Sequence, residues 1–348
     1  MSDWHQRLWT VEGPGYRLLS ALLVPAEMGY RLGVSARAWM YDHGFLSSAD
    51  APIPTLAVGN LTVGGTGKTP VTAWFAGTLA ARGFAAAVVM RGYGGDEVQV
   101  HRLLNPEVPV HVSVDRTEGV RQAQRDGAEM AVLDDAFQHR ALRADVNLVL
   151  VAAEEWSASR RLLPRGPWRE PLTALNRADL VITTRKVAGR GQAAQVTASL
   201  GELCPSLPRA EAYIGLAGLA SYDGASRQLD TPKPARGLHC ALAVAGVARP
   251  GAVFAQLAEA GVTVDDHWSF PDHHSYSAEE VERILRRTAG GSLVATLKDA
   301  VKLGTALGPE IEIYVPLQTV EWETGREEVD RLLCRLSDVP RSRRGQPA

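Results

Sequence analysis

The chain has 348 residues, 45% of them hydrophobic and 22% charged, with a formal net charge of −2. That length exceeds one typical domain and predicts two compact units, while the near-neutral charge excludes a global attraction to nucleic acid, so anion recognition has to come from local clusters. The three cysteines, Cys204, Cys240 and Cys334, are too scattered for a disulfide framework or a cysteine zinc site, which fits a reducing cytosolic compartment.

No run approaches the roughly 20 apolar residues needed to span a bilayer, and no signal-peptide layout opens the chain. Residues 1–50 read instead as an amphipathic helical segment. Leu18, Leu19, Leu22 and Leu23 fall on one helical face before Pro25, and Met28, Leu32 and Trp39 continue the stripe. Trp4, Trp9, Tyr16, Tyr30 and Tyr41 border it, with Arg7, Arg17, Arg31 and Arg37 interspersed. Such borders suit a helix lying in the plane of a membrane, and helices packed on the next domain fit equally well.

From Ile53 onward short apolar runs alternate with helical patterns. Strands are expected over 53–58, 85–90, 108–112, 130–133, 146–151 and 180–183, with helices over 68–82 and 117–125. This is the pattern of a doubly wound, mostly parallel α/β sheet, placed at 51–205, whose ligands bind at the carboxyl ends of the strands. Residues 206–238, punctuated by Pro208, Pro232 and Pro234, read as a linker. A second, smaller α/β domain is expected over 239–339, including a helix over 277–288 capped by Ser277 and Glu280. The arginine- and proline-rich tail, 340–348, is expected to be disordered.

The first strand leads into Asn60-Leu61-Thr62-Val63-Gly64-Gly65-Thr66-Gly67-Lys68-Thr69. Glycines and Thr66 let successive backbone N–H groups turn around an anion, Lys68 supplies charge for the outer phosphates, and Thr69 offers a hydroxyl to Mg²⁺. Residues 62–69 therefore predict nucleotide triphosphate binding on a P-loop NTPase-like fold. Thr62 stands where the common loop has glycine, and Val63 where the Lys-Gly-Gly variant has a second lysine. Met130 to Leu133 ends in Asp134-Asp135, which places one of these acids with Thr69 at the metal. Gln138, His139 and Arg140 follow, as phosphate-orienting groups or mere loop.

Arg91-Gly92-Tyr93-Gly94-Gly95-Asp96-Glu97 comes directly after the second strand and reads as a flexible loop able to bring a base to the γ-phosphate, or as a surface turn. Asp265 to His274 concentrates three of the nine histidines with three carboxylates. It fits a metal site, a histidine that tunes a catalytic aspartate, or a plain polar loop. Between Arg160 and Arg190 lie seven arginines and Lys186, with Trp156 and Trp168 nearby. Arginine grips phosphate and tryptophan covers sugar or hydrocarbon, so the cluster suits a phosphorylated, partly apolar substrate. A solvated basic loop is the plainer alternative.

Taken in order, the Gly59-to-Pro70 loop, Arg91-Gly92-Tyr93, Asp134-Asp135-Ala136-Phe137-Gln138-His139, Leu163 to Pro171, Phe270-Pro271-Asp272-His273-His274 and Lys298 to Leu303 resemble the tetraacyldisaccharide 4'-kinase family along nearly the whole chain. The resemblance implies transfer of the ATP γ-phosphate, with Mg²⁺, to the 4'-hydroxyl of a lipid A disaccharide 1-phosphate at the cytoplasmic face of the bacterial inner membrane. No recognised motif or overall basic charge points to nucleic acid, and no obligate protein partner is evident in the sequence. The resemblance further implies Asp96 as catalytic base paired with His273, alongside Lys68, and Glu97 with Thr69, Asp134 and Asp135 at the metal. The same resemblance places Asn60, Arg91, Tyr93, Gln138, His139, Arg169 and Glu170 at the substrate. A P-loop ATPase or GTPase acting on a protein partner, of partitioning or metal-insertion type, is the alternative, and a histidine-centred metal hydrolase a second.

Overall fold

The computed structural model describes residues 9, 14–92, 95–157, 159–309 and 311–339. Trp4, Arg7, Tyr93 and the 340–348 tail lie outside them. The main strands are β1 Thr55–Asn60, β2 Ala86–Met90, β3 Val110–Val112, β4 Met130–Leu133, β5 Val146–Ala152, β6 Leu180–Arg185, β7 Arg209–Asp223, β8 Leu242–Ala245, β9 His267–Ser269, β10 Leu293–Ala295 and β11 Ile313–Thr324. They join one sheet in the order β9-β8-β10-β11-β7-β6-β5-β1-β4-β2-β3, with Gln228–Leu229 paired to the end of β7. Helices are α1 Pro14–Leu22, α2 Val24–Asp42, α3 Lys68–Ala81, α4 Gly95–Leu104, α5 Arg116–Arg125, α6 Arg190–Leu203, α7 Pro250–Glu259, α8 Ala278–Thr288, α9 Leu297–Leu307 and α10 Arg326–Asp338.

Strands β1, β2, β4, β8 and β10 are buried along their whole lengths. That is why they read as unbroken apolar runs: parallel strands covered by helices on both faces have no polar side to show. Phe75 and Leu79 of α3 pack on one face of the first half, together with Leu332, Leu333 and Leu336 of α10. Val120 and Ala123 of α5 cover the other face with Ile53 and Leu133.

Residues 206–238, expected to be a linker, instead contain β7, whose fifteen residues span roughly 50 Å of extended chain. Its first residues pair in parallel with β6, and most of its length pairs antiparallel with β11, from Thr324 opposite Glu211 to Ile313 opposite Tyr222. The two α/β halves are thus joined by a shared antiparallel ribbon, and α10 returns to the core of the first half. Flanking prolines and the interior Gly215 and Gly218 hide the strand, because its stability comes from a partner about 100 residues away rather than from local propensity. The stretch 262–268 divides between the short strand Thr263–Val264 and β9.

The N-terminal helices sit on the first half with their polar side inward. Ser20 and Glu27 are buried, while Leu18, Leu22, Met28 and Leu32 are 60–70% exposed. Glu27 accepts from Leu162 N–H at 2.9 Å and pairs with Arg165 at 3.2 Å. Burial would raise the Glu27 carboxyl, but these donors hold it below its ordinary value. Further along α2, Tyr30 donates to Arg169 O at 2.9 Å, and Arg140 donates to Ala38 O at 3.0 Å. Among the described residues no helix is long and apolar enough to cross a membrane.

Candidate nucleotide and acceptor site

Strand β1 lies between β5 and β4, so its carboxyl end opens at the middle of the first half of the sheet. The chain leaves it through Gly59, where a Cβ would stand 2.4 Å from Phe137 Cβ, so only glycine allows the two segments to approach. The loop is then pinned from outside. Val63 N–H donates to Pro167 O at 2.7 Å, Arg169 N–H to Leu61 O at 2.7 Å, and Thr184 Oγ1 to Thr66 O at 2.8 Å. Thr62 donates to Glu155 at 2.8 Å. Gly67, at φ +88°, turns the chain into α3 and leaves Lys68 and Thr69 on its first turn. This is a loop and helix N-terminus built to hold an anion. Asn60, expected at the substrate, is fully buried and shapes the loop by donating to Thr62 O at 2.7 Å and accepting from Lys68 at 3.3 Å.

The two acids after β4 have different tasks. Asp134 is buried, and its carboxylate receives Thr72 Oγ1 at 3.1 Å and His101 Nε2 at 3.0 Å. Burial opposes its charge, yet His101 and the nearby Lys68 bring its pKa down to about 2. Asp135 adopts φ +48°, a left-handed conformation that aspartate tolerates better than most residues, and turns its carboxylate outward. There it stands 3.6 Å from Lys68 Nζ and receives Arg169 Nη1 at 3.2 Å on both oxygens.

Asp96 and Glu97 do not end a flexible loop: they occupy the first turn of α4, where carboxylates complement the helix dipole. Val100 of the same helix packs into the core of the second half with Leu303 and Leu307. That packing brings Asp96 to 3.6 Å from His273 Nδ1 and 3.0 Å from Lys302 Nζ. Burial would raise the Asp96 carboxyl, but His273 and Lys302 hold it far below the usual carboxylate range. Asp96 in turn raises the His273 imidazole above its ordinary value. Glu97 pairs with Lys298 at 2.6 Å. The remaining imidazoles of this segment go elsewhere: His274 bonds Glu280 at 3.1 Å, and His267 packs edge-on to Phe254. Among the described residues no three histidine, cysteine or acidic side chains converge on a metal position.

A cavity of about 760 Å³ opens beside Asp135, between α2 and the ends of β2 and β4. Arg37, Arg91, Arg116 and Arg169 line it together with the apolar Val34, Val114 and Leu163. Gln138 and His139 also face it, and Gln138 Oε1 and His139 Nε2 are buried without a hydrogen-bond partner in the protein. Buried polar atoms are rarely left so, and these two call for an occupant with its own donors and acceptors.

The basic stretch around residue 170 proves mostly structural. Arg165 fastens Glu27, Arg177 holds Glu170 at 2.7 Å, Arg185 pairs with Glu323, and Arg169 alone among these turns to Asp135. Trp168, expected to cover substrate, is 1% exposed and belongs to the core with Leu61 and Leu162. Sequence reasoning assigned no individual role to Lys298 and Lys302, and counted Lys186 only within the basic cluster, although its ammonium lies 3.8 Å from where a Gly65 methyl would be. Burial pushes the Lys186 ammonium below its ordinary pKa. The first two lie in a segment that carried the family resemblance, but they gain chemical meaning only when α9 meets α4.

A glycine-rich anion loop at the centre of a parallel sheet, with acids on the neighbouring strand, defines a phosphate-loop nucleotide-binding protein. The family model described as tetraacyldisaccharide-1-P 4'-kinase matches residues 19–107 and 95–337. A relative from Halorhodospira halophila named tetraacyldisaccharide 4'-kinase is 35% identical, covering 93% of this chain and 97% of its own length. Another so named, from Geobacter metallireducens, is 38% identical, with 84% and 90% covered. The crystal structure of an "apo"-form LpxK from Aquifex aeolicus in complex with ATP superposes with a TM-score of 0.72 at 27% identity, covering 91% of this chain and 99% of that one. The chain belongs to the tetraacyldisaccharide 4'-kinase family.

Proposed function

We propose that the protein transfers the γ-phosphate of ATP to the 4'-hydroxyl of a tetraacyldisaccharide 1-phosphate, at the cytoplasmic face of an inner membrane. The observation that carries this reading is Asp135, shared between Lys68 of the nucleotide loop and Arg169 of the cavity. It gives the two sites a common edge, where a terminal phosphate and an acceptor hydroxyl can meet.

Lys68 and the N–H groups of residues 64–69 would neutralise charge on the transferring group. The donor set here is hard oxygen, with a Thr69 hydroxyl on the first helical turn and the outward carboxylate of Asp135, which fits Mg²⁺. Thr69 with Asp134 or Asp135 would hold that ion, and when bound it supplies further charge neutralisation. Asp134 is buried against Thr72 and His101 while the Asp135 carboxylate turns outward to the cavity, which favours Asp135. Glu97 as a further ligand would have to leave Lys298.

Asp96 accepts the hydroxyl proton as oxygen bonds to the γ-phosphorus and the bridge to the β-phosphate breaks. A strongly acidic carboxyl is a weak base, but a loose phosphoryl-transfer transition state asks little of it. The arginines and the unpartnered Gln138 and His139 atoms suit the sugar and its 1-phosphate. The exposed leucines of α1 and α2 suit an acyl-rich membrane surface beside the cavity. A partner-switching ATPase has no use for this cavity.

The test is transfer of label from γ-radiolabelled ATP to lipid A disaccharide 1-phosphate in detergent, comparing wild type with Lys68→Ala and Asp96→Ala. Labelled lipid from wild type and loss of at least about a hundredfold in both variants are expected. Equal turnover in all three would reject the assignment.

A further inference from the structure

The Lys298-to-Leu303 segment has no task in this chemistry, yet its two lysines face the proposed base and its neighbour Glu97. Helix α9 is set firmly at its start. Asp299 is fully buried and receives Gly246 N–H and the Tyr276 hydroxyl, each at 2.8 Å. Lys298 and Lys302 follow one turn apart on one side of the helix, and they meet Glu97 and Asp96 on the first turn of α4.

Lys302 does more than pair with a carboxylate. Its ammonium is 3.0 Å from Asp96 Oδ2 and donates to His274 O at 3.1 Å, so one group holds both the aspartate and the backbone next to His273. His273 sits at φ +60°, a left-handed conformation that a non-glycine residue keeps only when its surroundings hold it there. We propose that Lys302 is a positioning residue for the transfer: it ties Asp96 to the loop bearing His273 and thereby aims the carboxylate at the acceptor hydroxyl. This rests on Asp96 being the base. Lys302 is remote from Lys68 and the nucleotide loop in sequence and in its contacts, so nucleotide affinity is not its concern.

The test is a double-mutant cycle in the full-length protein with Lys302→Met, Asp96→Asn and the pair, together with Lys302→Arg and Lys302→Gln. Misplacing a reacting group by about 1 Å costs on the order of a hundredfold. Lys302→Met is expected to lower kcat by about 10- to 100-fold with the KM for ATP within about twofold of wild type. Lys302→Arg should recover part of that loss, and the double variant should be no slower than Asp96→Asn alone. Should Lys302→Met fail to melt cooperatively, Lys302→Gln gives the same comparison with a donor retained. Wild-type kcat in the folded Met or Gln variant overturns the proposal, as do losses that multiply in the double variant. A fully active Asp96→Asn would instead remove the base itself, a different result from either.

Discussion

Gly59→Ala should damage both the fold and the site, by an amount that follows from the packing. The added methyl would lie 2.4 Å from Phe137 Cβ and 2.9 Å from Phe137 N, more than about 1 Å inside normal carbon contact for the first. The segments cannot part freely, because Ala136 N–H donates to Val58 O at 3.0 Å and Gln138 Nε2 to Asn60 O at 2.8 Å. Overpacking of this kind costs about 1–3 kcal/mol, and weakening the two hydrogen bonds adds about 0.5–1.5 kcal/mol each, so a loss of about 2–6 kcal/mol is expected. The same shift moves Asp135 away from Lys68, and turnover should fall in whatever fraction remains folded. Urea denaturation followed by circular dichroism measures the first effect, and the transfer assay the second. Destabilisation under about 0.5 kcal/mol with wild-type turnover would refute the packing argument.

Replacing Leu22 and Leu32 by Glu should reduce sedimentation with anionic phospholipid vesicles at least tenfold while leaving turnover in detergent unchanged, since each leucine is about 70% exposed and its burial in lipid is worth about 1.5–3 kcal/mol. Unaltered vesicle binding would assign those leucines elsewhere. His273 has its pKa raised by Asp96 in the fold, so their ion pair stabilises fully below the ordinary histidine value of about 6.5 and is lost as pH rises through the raised value. The melting-temperature gap between wild type and His273→Asn should therefore be wider near pH 6 than near pH 9, and a gap that widens with pH would contradict the pairing. Lys186→Ala should raise the KM for ATP about tenfold, because its ammonium flanks the nucleotide loop. An unchanged KM would leave it a structural lysine.

What could be read from sequence was local. Met130–Leu133 appears as expected because a central parallel strand needs an unbroken apolar run. The Ser277–Glu280 capping box forms because both partners lie within one turn. Lys68 and Thr69 were legible because their spacing from the glycines is itself the anion site. Both segments stood out as candidates, but the pairing of Asp96 with His273 came only through family resemblance, and nothing in their spacing across about 180 residues places them 3.6 Å apart. The long ribbon of β7 and β11 and the return of α10 stayed hidden because distant pairing creates them. Arg165 and Arg177 misled for a related reason. A basic side chain is indifferent to whether its partner is a ligand phosphate or a buried glutamate, and Glu27 lies far from Arg165 in the sequence.

The joint use of nucleotide loop and cavity is tested most directly by giving the purified protein ATP whose γ-phosphate oxygens carry a heavy isotope, together with lipid A disaccharide 1-phosphate, and analysing the lipid by tandem mass spectrometry. A new phosphate at the 4'-position bearing three heavy oxygens, beside an unlabelled 1-phosphate, is the expected product. Heavy isotope found only in free inorganic phosphate, with the lipid unchanged, would contradict it.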